Sequence, residues 1–177
     1  MADLDSLLAR LIQGGVEFVV VGGYAAAAHG VSLITQDIDI CCPFTTGNLL
    51  RLQSAIADLH PVHRLTPQRI PLQLTRRNCA RLKNLYLGTD LGPLDCLGEV
   101  LGLGNYEDIQ PHTTELEFPA GPDYLEPPLR CCRLQELLPE QAFSFFLLGF
   151  FQNFLLQQCD ETVLLNSYVN AVNVRLD

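Results

Sequence analysis

Asp37 and Asp39 lie in the segment 36–42, where Asp37, Asp39 and Cys41 alternate with Ile38, Ile40 and Cys42. A period of two is the pattern of a β-strand, here with one carboxylate face and one apolar face. Side chains at i and i+2 point the same way, roughly 6.5 Å apart at the backbone, so both carboxylates can reach one divalent cation. Two like charges on one sheet face cost stability unless something positive neutralises them. A further aspartate, Asp95, lies in a later apolar run, 91–97. Two-metal phosphoryl or nucleotidyl transfer requires two or three carboxylates converging on cations, with a separate cradle for the leaving polyphosphate.

A candidate cradle stands upstream. The run 16–21 is β-branched and aromatic between glycines, the pattern of a strand buried on both faces. Gly22-Gly23 ends it, and the alanine-rich stretch 24–29, closed by Gly30, has high helix propensity. Backbone N–H groups at a glycine-lined helix start can approach an anion closely. Alone, a glycine pair is most often a turn and a D-x-D most often a solvated strand face. Their order, with 13 residues (24–36) between Gly23 and Asp37, is a more specific conjunction.

These residues need a scaffold. Leu4, Leu7, Leu8, Leu11 and Ile12 have helical spacing over 4–13, and Gly14-Gly15 stops that helix. A loop at 43–47, with Thr45 or Thr46 as cap, precedes a helix over 48–59. Segments 82–87 and 91–97 read as a hairpin joined at 88–90. Short elements follow at 99–103 and 106–109, then a strand pair, 114–118 with 129–132, around a Pro/Gly-rich turn. From Leu134 onward the pattern is helical, and 60–80 has no clear assignment. The expected class is α/β (α+β): a small mixed sheet flanked by helices, with a core over 1–135 and a short helical C-terminal segment over 136–177.

The formal charge of −9, from 11 Lys plus Arg against 20 Asp plus Glu, gives no long-range attraction for nucleic acid or anionic lipid. Any phosphate must be met locally. Six of the 11 basic residues (Arg64, Arg69, Arg76, Arg77, Arg81 and Lys83) share one stretch of twenty, a solvated face or a contact surface for phosphate or RNA. Seven cysteines, two pairs of them vicinal, fit neither a disulfide framework nor a zinc site and suit reduced thiols in the cytoplasm. The acidic, amphipathic start is unlike a signal peptide. The ten apolar residues 142–151 are short for a membrane span and suit a buried or homodimer-forming Phe-rich helix.

The run GVEFVVVGGYAAAAHGVSLITQDIDI resembles the signature of the nucleotidyltransferase fold of polymerase-beta-like enzymes: apolar strand, G-G, short helix, D-x-D. Its G-G-x-A, H-G and T-x-D-I-D-I spelling is similar to AbiEii-type and related small bacterial nucleotidyltransferases, some of them toxins of toxin-antitoxin pairs. LGPLDCLGEVLGLGNYEDI is similar to the later block of that family, so the resemblance spans about residues 14–118.

The resemblance implies Mg2+ or Mn2+ held by Asp37, Asp39 and Asp95, with Asp95 also a candidate base. It implies a nucleoside triphosphate such as ATP, with its β- and γ-phosphates at Gly22 and Gly23, Thr35 beside them and His29 near the pocket. The nucleotidyl acceptor would be a tRNA or other RNA, a protein, or a small molecule as in antibiotic adenylylation, and a toxin would have an antitoxin partner. The family leads one to expect a basic residue where Leu33 stands and a Lys/Arg-rich late helix where this chain has LGFFQNFLLQQ. Those departures point to another alternative, a catalytically degenerate member that binds nucleotide or protein. His29 otherwise serves a helix end, Cys41 and Cys42 serve as small core residues, and Glu99, Glu107 and Asp108 as surface carboxylates.

Overall fold

The computed structural model describes residues 2–31, 34–116 and 129–133. Leu33, residues 117–118 of the expected strand and the whole segment 136–177, with its Phe-rich stretch, lie outside them. Helix α1 (Leu4–Gln13) starts where Asp3 accepts a hydrogen bond from the Ser6 N–H, and it buries Leu7, Leu8, Leu11 and Ile12. Strand β1 (Val19–Val21) is shorter than the apolar run suggests. The reason is Asn48, whose side chain takes both backbone groups of Glu17: Glu17 N–H donates to Oδ1 at 2.8 Å, and Nδ2 donates to the Glu17 carbonyl at 2.9 Å.

Helix α2 (Gly22–Ala28) begins two residues before the expected Tyr24. The Tyr24 hydroxyl donates to Asp5 of α1 at 2.5 Å. After β2 (Ile38–Cys41), helix α3 (Thr46–Ala55) is capped by Thr45, whose hydroxyl accepts from the Asn48 N–H at 3.3 Å. A 3-10 turn at Ala57–Leu59 takes the place of the last expected helical residues.

The unassigned segment 60–80 contains the two-residue strand β3 (Val62–His63) and the single-turn helix α4 (Arg76–Cys79). A reciprocal cap between Thr75 and Asn78 closes α4. Strands β4 (Asn84–Thr89) and β5 (Gly92–Leu97) form the expected hairpin. A small ribbon of β6 (Glu99–Val100) and β7 (Gly104–Asn105) leads to helix α5 (Tyr106–Ile109), and β8 (Thr113–Leu116) pairs antiparallel with β9 (Leu129–Cys132).

Seven strands make one mixed sheet in the order β3-β4-β5-β2-β1-β9-β8, with β2 parallel to β5 and β1 parallel to β9. This is the mixed sheet flanked by helices that the sequence led one to expect. On one face Val20, Ile38, Ile40, Leu85, Leu87 and Leu94 pack with Leu7, Leu8 and Leu11 of α1 and Leu49 and Leu52 of α3. On the other, Val19, Val21, Cys41 and Cys132 pack with Tyr106 and Ile109 of α5. Among the described residues no helix is long and apolar enough to cross a membrane.

Asn48 is 1% exposed and holds the entry to β1 against the exit from β2, because Nδ2 also donates to the Pro43 carbonyl at 3.2 Å. Removing that side chain takes the partner from three part-buried backbone groups, the N–H and carbonyl of Glu17 and the carbonyl of Pro43. Asn48→Ala is therefore expected to destabilise the protein by about 2–3 kcal/mol, measured by urea denaturation. A loss below about 0.5 kcal/mol, the usual effect of a surface change, would contradict this account of the short β1.

Candidate metal centre

Strand register decides which side chains can meet. Asp39 lies opposite Asp95 across the parallel β2–β5 pair, and Asp95 lies opposite Tyr86 across β5–β4. Val21 continues the rung on the other side of Asp39. Arg64, just past β3, extends it further, since its N–H donates to the Tyr86 carbonyl at 2.9 Å. Partners on one rung share a sheet face, so one row across four strands and the residue beyond β3 reads Val21, Asp39, Asp95, Tyr86, Arg64.

Asp37 immediately precedes β2 and completes the cluster. One carboxylate oxygen each from Asp37, Asp39 and Asp95 lies within 4.8 Å of the other two. Thr35 holds Asp37: its hydroxyl lies 3.0 Å from both the Asp37 carbonyl and Asp37 Oδ1 and donates to them. Gly22 lies against Asp39. A Cβ there would overlap the Asp39 carboxylate and sit 2.9 Å from its Cγ, and the Gly22 φ of 66° is one that L side chains rarely adopt. Glycine at this position thus lets the start of α2 lie directly over the carboxylate. Gly23 is buried in the first turn of α2.

Arg64 grips Asp95 with both arms of its guanidinium. Nε donates to Asp95 Oδ1 at 3.0 Å, and the terminal nitrogen donates to Oδ2. This side-on pairing is the strongest arrangement a carboxylate finds with a side chain. The sequence placed Arg64 among six clustered basic residues, and the structure separates it from them: it reaches the acidic cluster, whereas Arg69, Arg76, Arg77, Arg81 and Lys83 are exposed. A separate open cleft beside Phe44, Lys83, Asn84 and Glu99 contains none of the three aspartates.

Burial pushes the Asp39 carboxyl up to about 7 from an ordinary value near 3.8, and the charges of Asp37 and Asp95 push the same way against a smaller pull from Arg64. Asp95 is also raised, mainly by burial, and its hydrogen bonds to Arg64 oppose that shift. Burial and the neighbouring carboxylates together therefore outweigh the positive charge of Arg64 at both groups. Other candidates serve the fold. His29 Nε2 lies 2.9 Å from the Cys132 carbonyl, tying the end of α2 to β9. The six cysteines among the described residues are all buried. Burial raises the Cys41 and Cys131 thiols to about 12, which keeps them protonated and poorly nucleophilic.

No family model matches the chain, and no curated protein matches it in sequence. A solved structure of ANT(2")-Ia in complex with adenylyl-2"-tobramycin is similar at 15% identity and a TM-score of 0.46, over 80% of this chain and 75% of that one.

The raised Asp39 carboxyl makes stability depend on pH. Between its ordinary value near 3.8 and about 7 the folded protein holds a proton that the unfolded chain has lost. The stability this supplies is complete below the lower value and is lost as pH rises through about 7. In chelator, Tm is expected to fall across that window more steeply for wild type than for Asp39→Asn, as read by thermal melts. Identical slopes in the two proteins would contradict the burial of Asp39 as the cause.

Proposed function

We propose that the chain is a polymerase-beta-like nucleotidyltransferase that moves a nucleoside monophosphate from a triphosphate to a hydroxyl acceptor. The observation that carries this reading is the meeting of three carboxylate oxygens within 4.8 Å, from a D-x-D at β2 and from the neighbouring parallel strand. The donor set suits Mg2+ or Mn2+, which favour hard oxygen ligands. A divalent cation would also relieve the repulsion and burial that raise Asp39. Once bound, such a cation supplies charge stabilisation to the phosphoryl oxygens during in-line displacement.

In this reading Asp37, Asp39 and Asp95 hold the cation, and Thr35 fixes the direction of Asp37. Gly22 and Gly23 offer the triphosphate a backbone without side chains, with Gly22 against Asp39. Asp95, mostly buried, is the candidate to take the proton of the attacking hydroxyl. The acceptor is an RNA, a protein or a small molecule such as an antibiotic. A toxin of AbiEii type with an antitoxin partner is the finer assignment, and it rests on the G-G-x-A, H-G and T-x-D-I-D-I spelling. A core over 1–135 with a helical segment over 136–177, able to self-associate, belongs to the same proposal.

One observation favours a second reading, a nucleotide- or protein-binding chain without catalysis. Arg64 already holds both oxygens of Asp95. Incubation with each labelled nucleoside triphosphate, Mg2+ or Mn2+, and RNA, lysate protein or aminoglycoside separates the two. Transfer of label is expected for wild type and a loss of about a hundredfold or more for Asp39→Asn, which removes charge and keeps shape. Equal labelling by both proteins would contradict the active reading. Metal-dependent stabilisation by triphosphate without any transfer would select the second.

A further inference from the structure

We infer that Arg64 is a built-in counter-cation that competes with the divalent cation for Asp95; the inference rests on the metal-centre reading above. Arg64 reaches Asp95 from two strands away, past Tyr86, by the length of its side chain. Its guanidinium takes one lone-pair direction on each carboxylate oxygen, so a cation that takes Asp95 as a ligand must share that group with a positive charge already hydrogen-bonded to both of its oxygens. The two partners differ in freedom: the Arg64 side chain is 31% exposed and that of Asp95 is 10% exposed. The arginine can swing toward solvent, while the aspartate stays fixed in the sheet.

Charge sets the sign of the effect. With Arg64 in place three carboxylates face one fixed positive charge, and an incoming cation meets both their attraction and its repulsion. Removing Arg64 leaves the attraction alone. A purely structural role for Arg64, holding Asp95 in position, makes the opposite prediction, because a misplaced ligand binds metal more weakly.

The test is a titration with Mn2+ alone, without nucleotide, at fixed pH and ionic strength, with free Mn2+ followed by electron paramagnetic resonance. Wild type, Arg64→Gln and Arg64→Lys are compared. Arg64→Gln is expected to bind Mn2+ about tenfold more tightly than wild type, in the usual range of coupling between two sites. Its metal-dependent rise in Tm should also be the larger. Arg64→Lys keeps the charge and loses the two-pronged grip, and falls between them. Equal or weaker binding by Arg64→Gln overturns the inference and leaves the metal centre intact. If Arg64→Gln fails to fold, Arg64→Lys decides: tighter binding than wild type supports competition, and equal or weaker binding overturns it. Absence of Mn2+ binding in all three proteins removes the metal-centre reading on which the inference stands.

Discussion

Mutual repulsion among three carboxylates is the constraint around which this molecule is arranged. Ionised groups about 5 Å apart near a protein surface repel by about 3 kcal/mol per pair at an effective dielectric of 20. A domain has only about 5–15 kcal/mol of stability in total. The fold therefore cannot hold Asp37, Asp39 and Asp95 together as bare anions without relief. Three forms of relief are visible: Asp39 keeps its proton up to about pH 7, Arg64 supplies one positive charge to Asp95, and the Thr35 hydroxyl donates to Asp37. Each is partial, which leaves room for a divalent cation.

The sheet supplies the positional certainty such a cluster requires. A one-residue slip of β2 against β5 would carry Asp39 to the apolar face and Ile40 into the cluster, so the register is fixed by burial as well as by hydrogen bonds. Ile38, Ile40, Leu94 and Cys96 alternate with the acidic positions and are fully buried. The same alternation produces both the core and the site. At the far end of β1 and β2, Asn48 fastens the chain entering one strand to the chain leaving the other. Gly22 lets the start of α2 lie over Asp39 where any other residue would collide with it.

What the sequence disclosed follows from the range of the forces involved. The i, i+2 spacing of Asp37 and Asp39, the glycine pair after an apolar run and the 84–97 hairpin are local patterns, and each element is present with boundaries shifted by a few residues. The partnership of Asp95 with Asp39 depends on which strands become neighbours, which local periodicity does not encode. Arg64 was harder still to read. It follows a two-residue strand in a segment held by side-chain-to-backbone bonds, such as the Leu74 N–H donating to Gln53 Oε1 at 2.5 Å. Charge counting grouped Arg64 with its sequence neighbours, and the β3–β4 register separates it from them. Asn48 was hidden in the same way, as a helix residue whose bonds to Glu17 span 31 positions.

Diffraction from crystals grown with Mn2+, with data collected at the manganese absorption edge, would locate a cation among the three carboxylates without reference to any reaction. An anomalous peak bonded to oxygens of Asp37, Asp39 and Asp95 is expected, with the Arg64–Asp95 hydrogen bonds lengthened or broken. A cluster without a peak at saturating Mn2+, its Arg64–Asp95 pair unchanged, would contradict the metal-centre reading.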